Sequence, residues 1–199
     1  MKIGKVQFLH FAESDMRALV VGFILIAAAF IAYAATPASN AAQRVTAVPN
    51  LDLKRYAGTW YEQANFPMYF QAKCVGGNTE ANYSLNTDGT VKVVNRCEVA
   101  GGATDSAEAV AKTVDGSTSK LKVRFAPAIL SFLPFVWGDY WVIGLDKDYR
   151  WAAVGTPDRK YLWFLTRAKK ADPPTFEQMS AAARSQGYNL SKLVRTKQD

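Results

Sequence analysis

Histidine is almost missing from this chain: its one copy, His10, precedes a long apolar run, and residues 36–199 contain none. That absence excludes Ser-His-Asp and Cys-His catalysis downstream, and most zinc sites with them. Cysteine is nearly as scarce, with only Cys74 and Cys97. Carboxylates, tyrosines and two thiols are what remains for chemistry, so neither a metal nor a cofactor is expected and the balance moves towards binding. A concentrated charge is also lacking. The net charge of +7 is spread along the sequence, and no basic run resembles a nucleic-acid arm, so no nucleic-acid partner is expected. A solvated surface accounts for the lysines and arginines, with attraction to anionic lipid headgroups as the alternative.

Only one hydrophobic run is long. Residues 18–35 are 18 apolar positions without a charge, preceded by Arg17. Such a run is near the minimum for crossing a bilayer and long for a signal-peptide core, so residues 1–35 read as a signal peptide or an uncleaved N-terminal anchor. The sequence Ala32-Tyr33-Ala34 before Ala35 fits an A-x-A cleavage site. Met16-Arg17 has the form of an ordinary signal-peptide start, which makes translation from Met16 one reading of the mixed-charge stretch before it. No cysteine lies near the cleavage region, so a lipid anchor on a mature N-terminal Cys is not expected. Residues 36–49, rich in small residues and without a strand or helix period, read as a flexible linker. Residues 50–199 then form one domain of ordinary size.

The domain opens on Gly58-Thr59-Trp60, where glycine permits a tight turn or a close backbone approach and tryptophan supplies a large apolar plug with one N–H to satisfy. Short alternating segments follow. Residues 61–66, 78–85, 90–99, 106–114, 120–125, 139–145, 151–155 and 161–167 each carry a strand signal, and Asn86-Thr87-Asp88-Gly89 marks a hairpin between the second and third. Strict alternation in 120–125 turns Lys120, Lys122 and Arg124 to water and Leu121, Val123 and Phe125 to a core. Residues 126–136 are apolar but bounded by prolines. They read either as a folded-back core segment or as a greasy lip. Pro173-Pro174 start the one helix, which Gly187 ends, and residues 190–194 form a last extended piece able to dock on an edge. The fold class is therefore mainly β: an eight-stranded antiparallel up-and-down β-barrel with one C-terminal α-helix packed outside.

In this order of elements the chain resembles the lipocalin family, within it the bacterial lipocalins close to apolipoprotein D. Gly58-Thr59-Trp60 looks like the first family motif, the turn 146–149 is loosely similar to the second, and Leu165-Thr166-Arg167 resembles the third, while Gly138-Asp139-Tyr140-Trp141-Val142-Ile143 is similar to the sixth strand of that subgroup. The resemblance implies that Arg167 lies over Trp60 and closes the barrel floor, a cation–π contact worth about 0.5–2 kcal/mol. Gly58, Trp60 and Arg167 are then structural and do not touch ligand.

Extrapolating the inward phase from Trp60 gives a candidate pocket lining. It consists of Glu62 and Ala64 on the first strand, Ala81 and Tyr83 on the second, Val93 and Asn95 on the third, Ala109 on the fourth, and Val123 and Phe125 on the fifth. By resemblance to the family, Tyr140 and Val142 follow; Tyr161 and Trp163 share the phase of Arg167. An inward Glu62 loses hydration, so it either gains an ion pair or a tyrosine hydrogen bond, or helps anchor a polar headgroup. Cys74 and Cys97 flank the first hairpin at similar distances from its turn, so a disulfide is expected, with a free reactive thiol as the lesser alternative.

The function these residues point to is a calyx that binds and sequesters or transports fatty acids, lysophospholipids or related lipids in a bacterial cell envelope. The periplasm is the natural compartment, and peripheral contact with membrane would run through Ile129, Leu130, Phe132, Leu133 and Phe135. No enzymatic activity is expected. The alternative is a lipocalin-fold enzyme acting on a lipid-like substrate.

Overall fold

The structure, a computed structural model, describes residues 44–199. The leader of residues 1–35, its cleavage site, Met16 and the linker up to residue 43 lie outside the described residues.

Asp52 caps a single helical turn, α1 (Leu53–Tyr56), by accepting from the backbone N–H groups of Lys54 and Arg55. The barrel strands follow: β1 (Gly58–Asn65), β2 (Gly77–Leu85), β3 (Val91–Glu98), β4 (Thr104–Val114), β5 (Ser117–Arg124), β6 (Gly138–Leu145), β7 (Trp151–Gly155) and β8 (Leu162–Thr166). Each pairs antiparallel with the next, and β1 pairs with both β8 and β2, so the sheet closes on itself and leaves no free edge. Helix α2 (Pro173–Ser185) packs outside, and a short β9 (Val194–Arg195) adds to the upper part of β1. Among the described residues no helix is long and apolar enough to cross a membrane.

Period-2 alternation divides the apolar residues into two layers. Trp60, Ala81, Tyr83, Val93 and Leu121 face the lumen. Phe66, Ile143, Phe164, Met179 and Tyr188 fill the space between the barrel and α2. At Gly144 helix and sheet come close: a Cβ there would lie 2.8 Å from the Cβ of Ala182.

Bulges interrupt the alternation, and two expectations fail at strand irregularities or ends. The register of β1 against β8 shifts between Glu62 and Ala64, which turns Gln63 outwards to bond Lys169 and Ala171. Ala64 consequently leaves the lumen and joins the outer layer beneath α2. Arg124 does not face open water either. It is buried under Trp137, with its guanidinium 5.2 Å from the ring centroid and a bond to the carbonyl of Ala126.

The described end of the expected linker is docked, not free: Val45 is buried, and the Val48 N–H donates to the carbonyl of Val142 at 2.8 Å. Apolar valines in this small-residue stretch find the barrel wall, so the ordered domain reaches back to at least Arg44.

Candidate functional site: the barrel lumen

The barrel has one closed end. Gly58, at φ +94°, brings the chain over from α1, and a Cβ there would meet Arg167 Nη1 at 3.2 Å. This double constraint explains why glycine precedes the tryptophan. The Arg167 guanidinium sits 4.0 Å from the Trp60 ring centroid. It donates to the carbonyls of Arg55, Tyr56, Ala57 and Thr59 at 2.8–3.1 Å. Trp60 Nε1 donates to the Tyr56 carbonyl at 2.8 Å, so the indole is satisfied within the plug. A second clamp lies beside it. Asp146 accepts from the backbone N–H groups of Asp148 and Arg150 and from Arg150 Nε and Nη2, and the Arg150 side chain holds its carboxyl down at about 2. Tyr149 Oη accepts from the Asp52 N–H at 2.9 Å, while Arg55 lies 4.0 Å over the Tyr149 ring.

Above this plug lies a cavity of about 800 Å³. Of the residues expected to line it, Glu62, Ala81, Tyr83, Val93, Asn95, Val123, Phe125, Tyr140, Tyr161 and Trp163 do so. Ala109 and Val142 belong to the inner layer, yet they are packed behind other side chains and form no part of the cavity wall. Phe125 is half exposed at the mouth and does not sit in the core that strict alternation assigned to it. Trp60 and Arg167 lie outside the cavity lining.

Glu62 is only 3% exposed and has neither a cation nor a tyrosine as hydrogen-bond partner among the described residues. Its carboxylate accepts from Asn65 Nδ2 at 2.6 Å, Gln71 Nε2 at 2.8 Å and Thr196 Oγ1 at 2.5 Å. Burial raises its pKa, and the three donors partly oppose that rise. The partners come from one local residue, the β1–β2 loop and the C-terminal tail, so this carboxylate ties the tail to the wall. Strands β1 and β2 pair only from Gly58↔Tyr83 to Tyr61↔Glu80. Beyond that the tail fills the gap: Gln198 Nε2 donates to the carbonyls of Glu62 and Thr79, and the Asn78 N–H donates to the Lys197 carbonyl. On the neighbouring wall, Thr79 Oγ1 and Asn95 Oδ1 are buried without a partner among the described residues.

Cys74 and Cys97 are bonded to each other, with Cα atoms 5.4 Å apart, and join the β1–β2 loop to β3 near the mouth. A free thiol is thereby excluded. The mouth itself is apolar. Tyr69 is 85% exposed, Ile129 80%, Phe132 76% and Phe135 80%, so residues 126–136 form a lip and not a core segment. Phe70 stacks edge-on against Tyr161, which drapes the β1–β2 loop over part of the opening.

Alternation along strands could not find several lining residues. Tyr56 enters the lumen from α1, and Gln71 and Trp137 come from loops. None has a period to extrapolate; only the four-residue spacing of Tyr56 from Trp60, which brings their ring centroids 4.8 Å apart, carried a trace of it.

A plugged floor, an open aromatic mouth and an outer C-terminal helix define a calyx, and residues 51–198 match the family model described as a Lipocalin-like domain. The chain belongs to the lipocalin family. Among similar lipocalins is Temperature-induced lipocalin-1 of Arabidopsis thaliana, 42% identical over 154 residues, covering 76% of this chain and 81% of the relative. The outer membrane lipoprotein Blc of Citrobacter freundii is 38% identical over 190 residues, covering 92% and 98%. Mouse apolipoprotein D is 27% identical, covering 75% and 78%. Insecticyanin from the tobacco hornworm superposes with a TM-score of 0.61 at 20% identity, covering 78% of this chain and 85% of insecticyanin, a likeness of fold alone. Membership of the family carries with it the binding of small hydrophobic ligands.

Proposed function

We propose that this lipocalin carries or sequesters single-chain lipids, fatty acids or lysophospholipids, in a cell envelope. The observation that supports this most is the cavity: about 800 Å³, walled by Tyr83, Val93, Val123, Tyr140 and Trp163, with exposed apolar side chains at its mouth. That volume and make-up suit an amphipathic guest with one long chain. Export through the leader of residues 1–35 and residence in the periplasm fit the disulfide, which persists in an oxidising compartment. Both cysteines of the sequence are engaged in that bridge, which supports a domain held without a cysteine-linked lipid, although the Blc relatives are named outer membrane lipoproteins. Peripheral membrane contact would run through Ile129, Leu130, Phe132, Leu133 and Phe135 on the lip. The basic face contributes less than its sequence suggests, since Lys122 is paired with Asp139 at 2.9 Å and Arg124 is covered.

The test is native mass spectrometry of protein purified from envelope fractions, followed by lipid extraction. Stoichiometric release of intact single-chain lipid is the expected result. An empty barrel that takes up no added lysophospholipid would sink the proposal, and recovery of altered lipid would move the reading to an enzyme.

A further inference from the structure

At the deep end of the cavity three tyrosines form a row. Tyr140 Oη lies 2.8 Å from Tyr56 Oη and 2.9 Å from Tyr83 Oη, and all three side chains line the lumen. Three hydroxyls carry three protons, and two hydroxyl–hydroxyl contacts use two of them, whichever way each is donated. One proton is left over with no acceptor among the described residues. Burial holds all three phenols protonated, Tyr83 being pushed up to about 12, so the row is a donor throughout the physiological range.

The charge beneath the row has the matching sign. Arg167 lies under Trp60, and among the described residues its guanidinium bonds only carbonyl oxygens, so no carboxylate there neutralises it at the floor. Higher up, the wall is unsuited to an anion. Glu62 is an acceptor with its donors already engaged. The cations Lys73 and Arg96 are paired with Asp105 and Glu80. At the top the lip is apolar. The lumen thus runs from a hydrogen-bond donor over a positive charge at the bottom to hydrocarbon-like surface at the mouth.

We infer that a ligand enters oxygen end first: its carboxylate or carbonyl oxygen accepts the spare proton of the Tyr56–Tyr140–Tyr83 row, and its hydrocarbon chain runs up towards Phe70, Phe125 and Phe135. This inference rests on the lipid-binding reading and adds an orientation to it. A buried polar group on a ligand needs a partner. The row offers a donor without breaking an existing bond, and unlike the unpartnered Thr79 hydroxyl, which lies beside Glu62 on the upper wall, it sits over the Arg167 charge.

The experiment uses the full chain and stearate carrying a nitroxide either near its carboxyl end or near its methyl terminus. Broadening of backbone amide signals in NMR spectra reports where the nitroxide sits. The carboxyl-end label should broaden Tyr83, Val91 and Leu121 at the floor, and the methyl-end label Phe70 and Phe135 at the mouth. The reverse pattern would overturn this inference and leave the binding reading standing. Failure of both labels to bind would overturn both. As a second measurement, Tyr56→Phe/Tyr83→Phe/Tyr140→Phe removes the donors while keeping the rings, and stearate affinity should fall roughly tenfold or more. Unchanged affinity in this folded variant would count against the row as the anchor.

Discussion

The two ends of the barrel solve opposite problems with similar residues. Within the plug of the closed end the large groups are spoken for: Trp60 has its N–H bonded and its face covered by Arg167, and Asp146 is saturated by Arg150 and two backbone N–H groups. At the open end Tyr69, Ile129, Phe132 and Phe135 face solvent. Aromatic side chains therefore stabilise the fold below and are kept available above. Stability should be sensitive to change at the floor and nearly indifferent at the rim, whereas membrane or ligand contact should show the reverse.

The largest break in that contrast is expected from Arg167→Ala. It strips the hydrogen bonds from the carbonyls of Arg55, Tyr56, Ala57 and Thr59 and uncovers Trp60. Removing the charged donors together with the cation over the indole should cost about 3–5 kcal/mol in urea unfolding. A cost below about 1 kcal/mol would show that the plug is not what holds the barrel closed.

Next comes the bridge. Cys74→Ser/Cys97→Ser releases the β1–β2 loop from β3, and a closed loop spanning 23 positions predicts a loss of about 3 kcal/mol through the unfolded chain. Because the bond lies near the mouth, this variant separates position from mechanism. It should lower the unfolding midpoint without altering the near-ultraviolet signal of Trp60 and Tyr56 at the floor.

What was legible in the sequence follows the same division. Strand order, the hairpin at Asp88-Gly89 and the helix after Pro173-Pro174 rest on local turn chemistry and period-2 alternation, which tertiary contacts do not override here. Alternation from Trp60 also placed Tyr83 and Asn95 on the cavity wall, and the phase of Arg167, known through the family resemblance, placed Trp163 there. It failed at Ala64, because one bulged residue, Gln63, reverses the phase and leaves no mark in a pattern of small and polar residues. It failed at Arg124 because a charge at a strand end can be covered by a tryptophan from the far end of the loop that follows it. Glu62 was legible as buried, but its partners were not, since Gln71 and Thr196 reach it from nine and 134 residues away.

Two carboxylates sharpen the comparison through pH. Arg150 holds Asp146 down at about 2, so its stabilisation is full above its unfolded pKa near 4 and is lost as pH falls through about 2. Arg150 is largely exposed, which reduces the effect to about 1–2 kcal/mol, and Asp146→Asn should remove it at neutral pH. Glu62 is opposite in sign. Its pKa is raised, chiefly by burial, so its contribution is fully present below its unfolded pKa and is lost as pH rises through the folded value. Glu62→Gln should flatten that part of the stability profile while changing neutral-pH stability by only about 1 kcal/mol, since an amide still accepts from Asn65 or Thr196. An unaltered profile in the variant would mean that the carboxylate is better hydrated than its burial implies.

The smallest effect on stability belongs to the rim. Phe132→Ser/Phe135→Ser removes two rings that face solvent, so the unfolding free energy should move by less than about 0.5 kcal/mol. If the lip meets lipid, binding to anionic vesicles measured by sedimentation should still fall roughly tenfold, because each ring that enters the bilayer contributes apolar area. High salt separates this from charge: screening weakens attraction by exposed lysines but leaves apolar insertion intact. Vesicle binding that is abolished by salt and untouched by the double substitution would assign the contact to the basic surface instead, and the rim aromatics would then serve only the entrance to the lumen.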